Sequence, residues 1–315
     1  MIRFYEKNLR EVYGETLVEL GERDPRIVVL DADLNTSTCA DKFKKRFPDR
    51  FIQCGIAEAN MFSIAAGMAH MGYIPFPSTF ACFAVRKALD PVFMNICCQK
   101  LSVKIPGSYP GLTATECGPS HNICEDIATM RALPHMRVAA AGDNNELISM
   151  MRCMASEEGP AYFRIPKAEM PRLFGPDHQF EWGRGYMLRS GKDVTIASTG
   201  MMTALALRAA ELLDGEGISA TVLHMPSIKP LDDELLAKAA KETGCVLTVE
   251  NGRPAGGFGG AVAESLAVNC PVRMKMLGVD EAPARSSDLG TLLCHYGLAP
   301  DQIKIQATEL VKIKD

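Results

Sequence analysis

The sequence lacks the features that would tie it to an oxidising compartment, a membrane or a polyanion. Its 11 cysteines are odd in number, no two stand as Cys-x-x-Cys, and the one close pair, Cys97 and Cys98, is adjacent. A disulfide framework or a zinc site needs paired spacings, so these residues are expected to be reduced, mostly buried thiols of a cytoplasmic chain. No stretch free of charged or strongly polar residues is long enough to span a bilayer. The opening, Met1-Ile-Arg-Phe-Tyr-Glu-Lys7, is charged and lacks the apolar centre of a signal peptide. Nor is there an excess of positive charge: 34 lysines and arginines stand against 38 acidic residues, a net charge of −4, which argues against a nucleic-acid partner. The one local run of cations, Lys42, Lys44, Lys45, Arg46 and Arg50, falls on a predicted helix with Phe43 and Phe47 on its inner face. Those cations are expected to be its solvated side.

What is present is an alternation of short apolar runs and amphipathic segments. With 315 residues, 47% of them hydrophobic, the chain is long enough for two domains with a core each. Residues 4–22 have helical periodicity and end at Gly21. Arg26 to Leu30 is a continuous apolar strand of the parallel-sheet type. Further strands are predicted at 51–53, 74–76, 101–105, 136–140 and 161–165. Helices are predicted from Glu58 to about Met71, from a Ser78-Thr79 N-cap through Phe80, Phe83, Val85 and Leu89, at 123–133 and at 144–155. Residues 167–192 are rich in glycine and proline and read as a linker. Strands at 194–198, 220–223, 246–249 and 273–277 then alternate with helices at 202–213, 232–242 and from 256 toward 267. The expectation is two three-layer α/β domains with mainly parallel sheets, 1–166 and 193–315, joined by 167–192.

The stretch from Asp49 to Phe83 carries the sharpest signal. Glu58 opens a helix that offers Met61, Phe62, Ile64, Ala65, Ala66, Met68 and Ala69 on nearly every side, so the helix is expected to be buried all round. A glutamate in a first helical turn is ordinary. A buried carboxylate, however, needs a partner or a function, because unpaired burial drives it toward the neutral form. The polar loop Asp31-Ala-Asp-Leu-Asn-Thr-Ser-Thr38 follows a strand, where open α/β sheets place ligand groups. The loop 107–121 is long enough to suggest function, and His121 at its end is either a general acid or base or a cap for the helix at Ile123. The glycine run 256–260 departs from nucleotide fingerprints and is read as close packing of helix on strand.

Asp31-Ala-Asp-Leu, Gln53-Cys-Gly-Ile-Ala-Glu-Ala-Asn-Met, Ser78-Thr-Phe-Ala-Cys-Phe, Gly118-Pro-Ser-His and Phe163-Arg, in that order and spacing, resemble the pyrimidine-binding domain of transketolase. Residues 193–315 are similar to its C-terminal domain. The chain begins where the family's diphosphate-binding domain would already have ended, so the resemblance is to the C-terminal subunit of a split, two-gene transketolase.

That resemblance implies thiamine diphosphate as cofactor, with Mg2+ or Ca2+ held by ligands on an N-terminal partner subunit in an α2β2 assembly. It implies that Glu58 hydrogen-bonds N1′ of the aminopyrimidine and drives the imino tautomer that deprotonates thiazolium C2. Phe80 and Phe83 match the aromatic pair beside the pyrimidine, and Asp33 a carboxylate that approaches the cofactor from across the interface. His121 matches a histidine facing the donor ketose. Arg164 matches an arginine on the substrate phosphate, and Ser37 a serine that helps hold it. The tetrapeptide Gly142-Asp-Asn-Asn is not the family's Gly-Asp-Gly metal motif, and Asp143 or Asn144 reads as a helix N-cap.

Two positions depart from pentose-phosphate transketolases. Cys117 replaces an aspartate that reads a sugar hydroxyl, and Tyr109 replaces a phosphate-side histidine. The implied reaction is transfer of a two-carbon ketol unit from a ketose, carrying a phosphate or a related anion such as a sulfonate, to an aldose. The same-class alternatives are a deoxyxylulose-phosphate-synthase-like carboligase and the β subunit of a 2-oxo-acid dehydrogenase. A different class is a non-catalytic, transketolase-like regulatory subunit.

Overall fold

Ile27, Val28, Val29 and Leu30 are apolar in succession because both faces of their strand are covered. Ile27 and Val29 pack with Leu17, Phe43 and Met150 on one side, while Val28 and Leu30 pack with Met61, Phe62 and Val85 on the other. The computed structural model describes residues 5–280 and 285–314. Its first half runs α1 (Leu9–Arg23), β1 (Ile27–Asp31), α2 (Asn35–Thr38), α3 (Asp41–Arg46), β2 (Phe51–Gln53), α4 (Glu58–His70), β3 (Ile74–Phe80), α5 (Ala81–Arg86), α6 (Leu89–Pro91), β4 (Lys104–Ser108), α7 (Asp126–Ala132), β5 (Arg137–Ala140), α8 (Asn144–Ser156) and β6 (Ala161–Ile165). The second half runs β7 (Tyr186–Arg189), β8 (Val194–Ser198), α9 (Met202–Asp214), β9 (Ala220–His224), β10 (Ser227–Lys229), α10 (Asp233–Thr243), β11 (Cys245–Val249), α11 (Phe258–Asn269), β12 (Arg273–Leu277), α12 (Leu289–His295) and α13 (Pro300–Lys312).

Two mainly parallel sheets result. The first has seven strands in the order β10-β5-β6-β4-β3-β1-β2, and only β10 runs antiparallel. The second has five, β12-β11-β8-β9-β7, with β7 antiparallel at its edge. The expected fold class is therefore the observed one.

Local differences have identifiable causes. Residue 4 lies outside the described residues, and α1 starts at Leu9 because the Asn8 side chain caps it in a reciprocal box with Glu11. Gly21 does not end α1: a Cβ there would meet Phe43 at 2.6 Å and Phe47 at 2.8 Å, so it marks close packing. Ser78 and Thr79 are not a cap. They pair with Asp31 and Gly107 inside β3, and Ser78 shares a hydrogen bond with Tyr13. Strand β4 is displaced three residues beyond expectation and runs through Pro106, a residue usually depleted from central strands.

The helix expected from Ile123 begins at Asp126. The expected linker contains β7, and β10 of the second half adds an edge strand to the first sheet. Helices α12 and α13 lie beyond the last element that the pattern predicts. Four cysteines are buried, four half-buried and three exposed, so the thiols are not mostly buried. The cations of α3 form a solvated face, with Lys42 paired to Glu15, Lys45 to Asp41 and Arg46 to Glu22 and Phe43 fully buried, but Arg50 lies beyond the helix, half-buried and donating to the Gly21 carbonyl at 2.8 Å. No helix among the described residues is long and apolar enough to cross a membrane.

Candidate active site

The site residues hang from the carboxyl ends of adjacent strands β4, β3, β1 and β2, the edge where parallel sheets present ligand groups. Beyond β2 the chain turns at Gly55 (φ +69°) and enters α4 with no side-chain cap. The Glu58 carboxylate is thus the negative group in that helix's first turn. It is 4% exposed. Lys87, just past α5, donates to both its oxygens at 3.1 and 3.2 Å, and the same ammonium lies 4.2 Å from the centroid of the Phe83 ring. Phe83 stacks beside Phe80 at 5.8 Å with 23° between planes. The His121 ring stands edge-on to both, 5.3 Å from Phe83 and 5.9 Å from Phe80. Its Nδ1 is 2.8 Å from Ser120 Oγ. Because α7 starts only at Asp126, His121 is not its cap.

Tyr109 continues this wall, 4.4 Å from Phe80. It takes the left-handed backbone region (φ 58°), uncommon for a bulky side chain, and its N–H is tied to Ile165. Arg10, on α1, donates to the Tyr109 hydroxyl and to the Ser37 carbonyl. The Lys167 ammonium also lies over the Tyr109 ring, 5.6 Å from its centroid. Among the described residues neither Arg10 nor Lys167 pairs with an acid, and the buried Nε of Arg10 has no hydrogen-bond partner. Two uncompensated cations beside a tyrosine hydroxyl suit an anionic group.

Not every expected residue joins this wall. Arg164 is 5% exposed, and its guanidinium forks onto Asp126 while donating to the Asn251 carbonyl at 2.8 Å. Three of its five N–H groups are thus engaged within the chain, tying the two halves together. Glu58 is buried as expected, but helix α4 departs from expectation. Ala59, Asn60, Ser63 and Gly67 leave one face of α4 exposed in this chain, so the helix is not buried all round. Asp33 is exposed on the loop after β1, with its backbone N–H bonded to Gln53 and no described partner for its carboxylate. Cys117 is exposed on the helical turn Thr115–Ser120 that leads to His121.

Sequence reasoning misses Lys87, Arg10 and Lys167. Lys87 has a signal, since it lies four residues after Phe83 and so on the same helical side. Arg10 has none, because 99 residues separate it from Tyr109.

The two other candidates are structural. Gly259 lets α11 approach β12, where a Cβ would meet Met276 at 3.0 Å, and the buried Glu250 carboxylate already takes the amides of Phe258 and Gly259. Burial raises Glu250 to about 7 against the pull of those amides and Arg164. Asp143 caps α8, accepting from the Glu146 amide at 2.8 Å. Among the described residues no group of three or more His, Cys, Asp or Glu is placed to hold a metal ion.

Comparison with known families places these features. The family profile described as transketolase, pyrimidine binding domain, matches residues 6–172, and that of the transketolase C-terminal domain matches 183–303. The chain belongs to the transketolase family. It is 38% identical over 314 residues to a 6-deoxy-6-sulfo-D-fructose transketolase subunit of Clostridium sp. (strain MSTE9), covering 100% of this chain and 98% of that one. It is 34% identical over 304 residues to an apulose-4-phosphate transketolase subunit of Phocaeicola vulgatus, covering 96% and 97%. A solved split-gene transketolase, described as an inactive β4 tetramer, superposes with a TM-score of 0.91 at 44% identity, covering 98% of this chain and 99% of that one. Transketolase membership implies thiamine diphosphate as the family's cofactor and identifies the chain as the counterpart of C-terminal transketolase subunits.

Proposed function

We propose that this chain is the pyrimidine-side subunit of a two-gene transketolase that moves a two-carbon ketol unit from a ketose to an aldose, each bearing a terminal anion. The observation that carries the reading is the buried Glu58 carboxylate beside the Phe80–Phe83 wall with His121 edge-on to both rings. The donor set fits an aminopyrimidine: a flat ring needs an apolar face, which Phe83 offers, and its ring nitrogen needs a carboxyl within reach, which Glu58 offers. Thiamine diphosphate, when bound, supplies the nucleophilic carbon that carries the ketol unit. The chain's own part is to exchange a proton at that nitrogen through Glu58, to pack the ring, and to hold or move a proton at a substrate hydroxyl through His121.

Arg10 and Lys167 meet the substrate's anion at the Tyr109 end. That suits either a sulfonate or a phosphate, the two groups in the names of the relatives. The diphosphate and its metal, Mg2+ or Ca2+, are assigned to an N-terminal partner subunit in an α2β2 complex. The solved relative described as an inactive β4 tetramer supports the view that this subunit type is incomplete without a partner. The exposed face of α4 and the neighbouring Ile56, Leu89, Phe93 and Met94, respectively 76%, 38%, 38% and 52% exposed, form the surface assigned to subunit contact.

The test is reconstitution with the N-terminal subunit, thiamine diphosphate and Mg2+, then incubation with a ketose phosphate or sulfo-ketose and an aldose phosphate. Exchange of a two-carbon unit is expected. Glu58→Ala is expected to abolish it, by roughly 100-fold or more, while assembly persists. Carbon dioxide release from pyruvate would instead assign a carboligase or dehydrogenase, and near-normal turnover by Glu58→Ala would remove the mechanism.

A further inference from the structure

The Lys87 ammonium makes both of the contacts that the proposed reading assigns to the aminopyrimidine. It lies over the face of Phe83 at 4.2 Å and binds both oxygens of Glu58. We propose that Lys87 is a positioning residue of the cofactor site, an internal competitor that holds Glu58 and must be displaced for the aminopyrimidine to bind. The inference rests on the transketolase reading of the site.

Three features support it. Glu58 is 4% exposed but the Lys87 side chain is 46% exposed, so the ammonium can withdraw into water while the carboxylate cannot. Glu58 has no other hydrogen-bond partner among the described residues, so removing Lys87 without a replacement leaves a buried carboxylate unpaired. The neighbouring cation, Arg86, is committed elsewhere: it bonds Glu125 at 2.8 Å and the Pro119 carbonyl, bracing the loop that carries His121. Lys87 is thus the cation free to exchange with a ligand at Glu58.

Competition has a directional consequence. Lys87→Met removes the competitor and destabilises the cofactor-free form, and both effects favour binding. Thiamine diphosphate should bind the reconstituted Lys87→Met complex about fivefold more tightly than wild type, the scale of a partly exposed ion pair. Lys87→Arg, which keeps the pair, should stay near the wild-type value. Calorimetric titration with thiamine diphosphate in saturating Mg2+ reads this without reference to turnover, and thermal melting of each complex reports whether the variants fold. Unchanged affinity in Lys87→Met overturns the inference. So does weaker binding, which would make Lys87 a ligand of the cofactor. Failure of the wild-type complex to bind thiamine diphosphate would overturn the transketolase reading itself.

Discussion

At the scale of residues, the proposed reading divides the site into a proton-handling end and a charge-handling end. Glu58, Phe83 and His121 form the first, Tyr109, Arg10 and Lys167 the second, with Phe80 between them. Tyr109 keeps its position polar by carrying its hydroxyl to Arg10. Asp126 takes the Arg164 fork, whereas Arg10 pairs with no acid among the described residues, and the proposed reading sets it against the substrate anion. Arg10→Ala should raise KM for an anionic ketose by about tenfold, the loss of one charge-assisted hydrogen bond, with kcat little changed. A ketose lacking the terminal anion should show no such penalty, and steady-state kinetics on the two sugars compares them. An equal loss for both would show that Arg10 acts only on the fold.

At the scale of elements, the loop between β4 and α7 is the least regular part of the site and the most constrained. Tyr109, Gly111, Thr115 and Gly118 all take positive φ within it. Gly111 has a second constraint. Its N–H and carbonyl pair with Ile123, and a Cβ there would lie 2.3 Å from the Asn251 carbonyl of the second half. No side chain can be accommodated without moving backbone. Gly111→Ala should therefore cost about 2 kcal/mol or more of stability, since it combines left-handed strain with a backbone clash. Denaturant unfolding measures it, and a loss below about 0.5 kcal/mol would show that the loop can relax. Helix α4 shows a different logic. Its inner face of Met61, Phe62, Ala65 and Ala66 is buried, while Ala59, Asn60, Ser63 and Gly67 leave the opposite face open, the face the proposed reading gives to a partner.

For the whole molecule, the halves are joined by more than the connecting segment. β10 extends the first sheet, Lys229 donates to the carbonyls of Arg131 and Leu133, and Arg164 reaches Asn251. At the centre of this seam Glu146 of α8 is fully buried between His178 and His224, at 3.2 and 2.7 Å. It also accepts from the Gly142 amide. Burial alone would raise this carboxyl, but the charge of His224, the two histidine hydrogen bonds and the Gly142 amide outweigh it and hold it at about 2, against 4.5 for the free group. Since the folded value lies below the unfolded one, the stabilisation is present above pH 4.5 and is lost as pH falls through about 2. Unfolding free energy of the wild type should therefore fall more steeply between about pH 5 and pH 3 than that of Glu146→Gln. Parallel pH profiles would show that the seam does not depend on the ionised carboxylate.

The sequence by itself determined the fold class, because continuous apolar strands alternating with amphipathic helices can be buried only as layered, mainly parallel sheets. It also pointed to Glu58, Phe80, Phe83 and His121, which the structure brings together. It could not determine what each charge meets. Arg164 bonds Asp126, Arg10 bonds Tyr109 and Lys87 bonds Glu58, each a residue distant in sequence. Ser78 has the composition of a cap, but strands on both sides claim the backbone of β3, and β10 joins a sheet belonging to the other half. Periodicity records which side of an element is apolar. Pairing of charges, strand edges and interhalf contacts depends on which elements become neighbours, and only the tertiary structure decides that.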